Sequence, residues 1–283
     1  MNSGGEALRR LTGTHEQPGS LRKYGQTLLK AKTGDFALGA VLPVLVLIVW
    51  QAAGDFGWIS TFFLPTPLMI GAALKELAVS GELTEHVGIS LWRALTGFLL
   101  GGSLGLLFGL LTGYFRKAEQ LLDPTLQMIR LVPHLAAAPL IILWFGFGET
   151  SKTLIIANGA FFPLYVHTYL GIRSVDNKLF DVAKVLRFSP YKQLLRLIIP
   201  ASLPNILLGL RLSLAVSWLG LVVAELIGSQ SGIGFLINFA KQNSATEVIF
   251  VGVILFAVVG KLVDTFVRLL EAKLLQWRDS FEG

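Results

Sequence analysis

Long apolar stretches separated by short polar ones dominate the chain. Spanning a bilayer as an α-helix takes about 20 mostly apolar residues, and six stretches qualify: 36–53, 92–114, 131–147, 153–172, 204–228 and 248–267. The second is the cleanest, with no Asp, Glu, Lys or Arg between Ala94 and Phe115. Two further segments break the pattern on one side. Residues 65–82 (PTPLMIGAALKELAVSGE) are too short and polar to span and predict an amphipathic helix at the membrane surface. Residues 229–246 (SQSGIGFLINFAKQNSAT) predict a glycine-rich connection, either a plain surface loop or one whose apolar part dips back where protein or a water-filled cavity covers it. A third interruption, residues 181–204 (DVAKVLRFSPYKQLLRLIIPASLP), is basic and amphipathic and needs its own explanation.

Composition agrees with an all-α polytopic membrane protein: 53% of the residues are hydrophobic and only 15% charged, against about a quarter charged in a soluble domain. The net charge of +6 sits between apolar runs rather than on a soluble face, so it points to membrane topology and away from nucleic acid. The first 35 residues are polar and basic, without the apolar core and small-residue cleavage site of a secretory signal. With the N-terminus inside, the inner segments hold Arg9, Arg10, Arg22, Lys23, Lys30, Lys32, Arg116, Lys117, Arg173, Lys178, Lys184, Arg187, Lys192, Arg196, Arg268, Lys273 and Arg278. The outer segments hold only Lys75, Lys152 and Lys241. This asymmetry predicts six spans with both termini cytoplasmic. The expected organisation is a cytoplasmic segment 1–35, a membrane domain 36–267 with a cytoplasmic loop 173–203, and a cytoplasmic tail 268–283.

Gly97, Gly101, Gly105, Gly109 and Gly113 recur at every fourth position of the second span, the spacing of a helix face that lets another backbone approach closely; packing is the first reading and a substrate path the second. Ionisable residues in or at the ends of spans are costly and default to function. Arg93 and Glu225 are candidates for a translocation path or gate, although both lie near outer helix ends where an interfacial place would suit them. Lys261 and Asp264, spaced i, i+3, can pair, and Arg211 can reach the inner surface by its long stem. Chains of carboxylates and histidines typical of proton relays are absent from the sequence.

Some apparent motifs carry nothing. GFGETSKT, Gly146 to Thr153, nearly matches a phosphate-binding loop, but it joins two spans on the outer side with no preceding strand, so nucleotide binding is rejected there. The four histidines, His15, His86, His134 and His167, lack ligand spacing, so no metal is expected. Absence of cysteine removes disulfide and thiol chemistry. With no nucleophile–base arrangement, neither catalysis nor a cofactor is expected in this chain.

In the interrupting loop, Leu179, Val182, Ala183 and Leu186 form one face of a short helix. Ser189 and Pro190 are an N-cap and first residue of a second helix, whose apolar face is Tyr191, Leu194, Leu195, Ile198 and Ile199, with Pro200 ending it. A membrane-surface element or a plug for a groove on a cytosolic partner would both use this pattern.

The loop resembles that of binding-protein-dependent ABC importer permeases, whose pattern is E-A-A-x3-G-x9-I-x-L-P. Asp181, Val182 and Ala183 stand at the E-A-A positions, and Leu197, Ile199 and Pro200 at the closing I-x-L-P. Arg187 occupies the family's glycine; where that position takes φ > 0, arginine is strained. The stretches SGELTEHVGISLWRALTGFLLGGSLGLLFGLLTG, QMIRLVPHLAAAPLIILWFGFGETSK and AELIGSQSGIGFLI are similar to those of aliphatic sulfonate permeases, relatives of taurine, nitrate and bicarbonate permeases. The resemblance implies a type I importer fold in a bacterial inner membrane and a homodimeric path. It implies two cytosolic ATP-binding subunits docked on residues 181–200, with Asp181, Ala183, Arg187, Ser189, Pro190, Leu197, Ile199 and Pro200 as coupling residues, and an extracytoplasmic binding protein delivering a small anion. An ion-coupled secondary carrier is the rival from another class.

Overall fold

The computed structural model describes residue 39 and residues 41–275; the segment 1–35 and the tail beyond 275 lie outside the described residues. Every regular element among them is helical. They fall into two compact units divided after Pro67. The first contains α1, Val41–Asp55, an apolar helix that turns at Gly57, where φ is +70°.

The second unit contains α2 (Pro67–Ser80), α3 (Glu82–Tyr114), α4 (Arg116–Arg130), a 3-10 turn (His134–Ala137), α5 (Ala138–Phe145), α6 (Glu149–Arg173), α7 (Asn177–Val185), α8 (Pro190–Gln193), a π turn (Leu194–Ile198), α9 (Ile199–Gly228), α10 (Ile233–Gln242) and α11 (Thr246–Leu274). Helix α2 is the short helix expected over 65–82, but it buries Ile70, Ala73 and Leu77. Four helical runs are long and apolar enough to cross a membrane: α3, α6, the continuous run Pro190–Gly228, and α11. One bent pair of helices can supply up to one more. The span expected as one helix over 131–147 instead joins α4 to the 134–145 segment through a bend of 85°, because Pro133 supplies no N–H and disfavours helical backbone just before it.

Helices α3 and α6 run parallel in a fixed register. A Cβ built on Gly97 would lie 2.5 Å from Ile156 Cβ, on Gly101 2.6 Å from Ala157 Cα, on Gly105 3.2 Å from the Phe161 carbonyl carbon, on Gly109 2.6 Å from Thr168 Cβ and on Gly113 2.9 Å from Ile172 Cβ. Lipid removes the hydrophobic drive for helices to associate, so close backbone approach is what holds such a pair. Helix α9 runs antiparallel to α6, with Ser213 Oγ donating to the Ala160 carbonyl at 2.5 Å. Ile156, Leu221, Ile233 and Phe256 form the shared core of α6, α9, α10 and α11.

The expected termination at Pro200 does not occur. Ile199 N–H bonds to the Leu194 carbonyl, a π-type turn, and the helix passes through Pro200 into α9. Widening the turn accommodates the missing proline N–H and the ring without a break. Helix α11 also continues past the expected boundary at 267 to Leu274.

Candidate functional site

Arg93 and Glu225, read from the sequence as candidates for a path or gate that could also be interfacial charges at helix ends, meet inside the protein. Arg93 is 4% exposed and Glu225 is fully buried. The guanidinium uses all five of its N–H groups. Nε and Nη2 hold Glu149 in a two-bond fork, each at 2.7 Å. Nη1 donates to Glu225 Oε1 at 3.0 Å and to the Ser231 carbonyl at 2.6 Å, and Nη2 also donates to Ser231 Oγ at 3.0 Å. Such planar, forked pairing is specific to arginine.

Glu225 is satisfied as completely. Ser90 Oγ lies 2.8 and 2.9 Å from its two oxygens, and the Gly234 N–H donates to Oε2 at 2.8 Å. The carboxylate therefore sits over the N-terminus of α10, where free N–H groups and the helix dipole favour an anion. The glycines of SQSGIG make this approach possible. Gly232 has φ +105°, and a Cβ there would run into the Glu225 carboxylate; one on Gly234 would lie 2.5 Å from Glu225 Cβ. The connection is further pinned by Gly232 N–H to His86 Nδ1 at 3.2 Å and Ile233 N–H to Ser90 Oγ at 2.9 Å. Residues 229–246, expected as a surface loop or as a connection whose apolar part dips back, thus include a packed helix with Ile233, Gly234, Leu236 and Ala240 buried.

Glu149 is the exposed corner, its side chain 62% accessible, and Lys152 Nζ donates to it at 2.8 Å. Both belong to the GFGETSKT stretch set aside as a false phosphate loop. They form one wall of the ion network. The network ties α3, α6, α9 and α10 together at the Glu149 end of the bundle. It leaves the guanidinium no donor for a bound anion, so the arrangement suits a latch between elements better than a substrate pocket.

Sequence reasoning missed Glu149, Lys152, Ser90, His86 and Ser231. The detectable signals were the acidic first residue of a span and two glycines seven and nine positions after Glu225. Arg211, expected to snorkel, instead pairs with Asp264 at 2.9 Å; Arg268 reaches the same carboxylate at 2.9 Å, and Lys261 stands at 3.8 Å.

At the other end stands the loop 173–203. Asp176 caps α7 by accepting from Lys178 N–H at 2.9 Å. Ser189 caps α8, accepting from Lys192 N–H at 3.4 Å. Between them Arg187 has φ +51°, and Arg187 N–H and Phe188 N–H reach back to the Lys184 and Ala183 carbonyls at 3.0 and 2.9 Å. This is a Schellman C-cap, which favours glycine at the left-handed position. Of the expected apolar face, Ala183 is 2% exposed, whereas Val182 is 54% exposed, Leu186 57%, Tyr191 73% and the neighbouring Val185 82%. Asp181 is exposed and pairs with Lys184 at 3.0 Å. Leu197, Ile199 and Pro200 belong to the π turn and the start of α9.

Comparison with known proteins agrees with this architecture. Residues 101–276 match the family described as binding-protein-dependent transport system inner membrane component. SsuC of Bacillus subtilis (strain 168), named as an aliphatic sulfonates transport permease, is 55% identical over 95% of this chain and 99% of its own. The taurine transport system permease protein TauC of Escherichia coli (strain K12) is 34% identical over 82% of this chain and 86% of its own. Among solved structures, a chain titled as an amino acid ABC transporter with histidines superposes with a TM-score of 0.58 at 18% identity, covering 72% of this chain and 98% of that one, a likeness of fold alone. Near full-length identity, the matching family profile and the shared helical fold make this chain a member of the binding-protein-dependent transport system inner membrane component family, an all-α, multi-pass ABC transporter permease.

Proposed function

We propose that this chain is the membrane subunit of an ATP-driven importer of aliphatic sulfonates. The observation that carries the reading is the 55% identity to SsuC along 95% of the chain; similarity to the taurine permease at 34% makes taurine the second candidate. Two copies form the path, an extracytoplasmic binding protein delivers the anion, and two cytosolic subunits hydrolyse ATP. The permease itself catalyses nothing and carries no cofactor or metal, and its surface meets membrane lipid but no nucleic acid.

Residues 181–200 are the coupling element. Their exposed Val182, Val185, Leu186 and Tyr191 offer a groove-filling apolar face, held rigid by two capped helix starts and the Schellman corner. Motion of the ATP-binding subunits passes through the continuous helix Pro190–Gly228 to Glu225 near its far end. There the Arg93–Glu225–Glu149 latch is the gate on the outer side. Both termini are cytoplasmic. Glu149 and Glu225 are locked in ion pairs, which supports an ATP-coupled importer over an ion-coupled carrier.

The test is uptake of labelled ethanesulfonate by cells lacking the native gene and complemented with this chain. Uptake should require the chain and stop when the partner subunit cannot hydrolyse ATP; uptake that survives that lesion would refute the reading. Val185→Arg should abolish co-purification with the ATP-binding subunit while the permease still accumulates. Ala183→Trp is a poorer probe, since Ala183 is buried within its own chain.

A further inference from the structure

A cavity of about 340 Å³ opens beside the broken span. Its polar lining comes from Arg130 and His134, which flank the 85° bend, and from Asn158 and His167 on α6; Phe162 and Val216 supply apolar wall. The volume lies in the range of small-molecule sites. Asn158 is nine residues into α6, which begins at Glu149 and ends at Arg173, so at 1.5 Å per residue the cavity lies roughly 14 Å from one end and 22 Å from the other. This places the opening about midway along α6. Arg130 makes no ion pair with any described residue. Arg130 is itself exposed, so its guanidinium is accessible to an anion in the opening. His134 Nε2 is buried and without a hydrogen-bond partner, a state that buried polar groups rarely keep. Irregular backbone at depth is itself tolerated where it borders such a cavity.

We infer that this cavity is an anion site within the permease for the sulfonate head group, with Arg130 as its charge partner, His134 and Asn158 as hydrogen-bonding groups, and Phe162 and Val216 packing the alkyl tail. The inference rests on the sulfonate reading above and adds a substrate site of the permease's own. One positive charge beside neutral donors suits a singly charged oxyanion, and the apolar wall suits a carbon tail more than a bare inorganic ion.

The absence of native cysteine allows a direct test on the full chain in nanodiscs. Val132 lines the cavity and is 55% exposed, so Val132→Cys reports occupancy through its rate of maleimide labelling. Ethanesulfonate should slow labelling several-fold. Butanesulfonate should do so at about tenfold lower concentration, since each buried methylene is worth roughly three- to fourfold. Arg130→Gln in this background should raise the half-protecting concentration at least tenfold, and Phe162→Ala should weaken the chain-length preference while ethanesulfonate still protects. Protection unchanged by Arg130→Gln, or equal protection by ethanesulfonate and inorganic phosphate, would overturn the site. So would a labelling rate set by phosphatidylglycerol content rather than by ethanesulfonate, which would assign the cavity to lipid head groups. Sulfonate uptake by the complete transporter without protection of the Val132→Cys thiol would remove the site and keep the permease reading; protection without uptake would do the reverse.

Discussion

Replacing Gly101 by alanine adds one methyl group to the middle of α3, at the point where α6 comes closest. The new Cβ would sit 2.6 Å from Ala157 Cα and from its carbonyl carbon, and nearer still to the carbonyl oxygen. Ordinary carbon contacts are 3.5–4.0 Å, so about 1 Å of separation is required, and the obstacle is helix backbone that cannot turn aside. The two helices must part along their shared face. A gap of 0.5–1 Å forfeits a quarter to a half of each contact's ~0.1–0.2 kcal/mol; over some 40 facing atom pairs the loss is roughly 1–4 kcal/mol, close to the usual cost of overpacking. Gly88 in the same helix is the control: a Cβ there meets nothing within 4 Å, so Gly88→Ala should be neutral or gain up to about 1 kcal/mol from helix propensity. Equilibrium unfolding of the purified chain in mixed micelles, followed by circular dichroism, compares the two. Equal midpoints would refute the close-packing account and return the ladder to lipid or to an open path.

Arg93→Ala should destabilise the chain by about 3–5 kcal/mol, because it strands the buried Glu225 carboxylate; pairing it with Glu225→Ala should recover part of that loss, and a cycle with additive losses would contradict the latch. Arg187→Gly should stabilise by about 1 kcal/mol, since it relieves a left-handed backbone that glycine adopts freely, and should preserve binding of the ATP-binding subunit; a lower melting temperature would argue against the corner described. Single cysteines at Ser80 and Lys241, both exposed, should react with impermeant maleimide from outside intact cells, whereas Val185→Cys should react only after permeabilisation; the opposite pattern would invert the topology.

Much of this protein is legible one segment at a time because lipid makes it so. With no water to satisfy backbone groups, each span must close its own hydrogen bonds, so composition within a window of about 20 residues reveals it. Helix-local chemistry is legible for the same reason: the every-fourth glycines define a face before its partner is known, and Ser189-Pro190 announces a helix start. Arg187 at a glycine position similarly foretold the strained corner where φ is +51°.

Folding alone decided which charges meet. Arg93 and Glu225 are 132 residues apart, and Arg93 and Glu149 are 56 apart; each alone resembles an interfacial charge at a helix end. Burial turned them into a network, because α10 folds over Glu225 on glycines that admit the carboxylate. The bend before His134 and the passage of α9 through Pro200 were likewise hidden, since proline marks where a helix is weak and only the surrounding packing determines whether it breaks or widens. The cavity lined by Arg130 lies at the first of these prolines, where the helix broke.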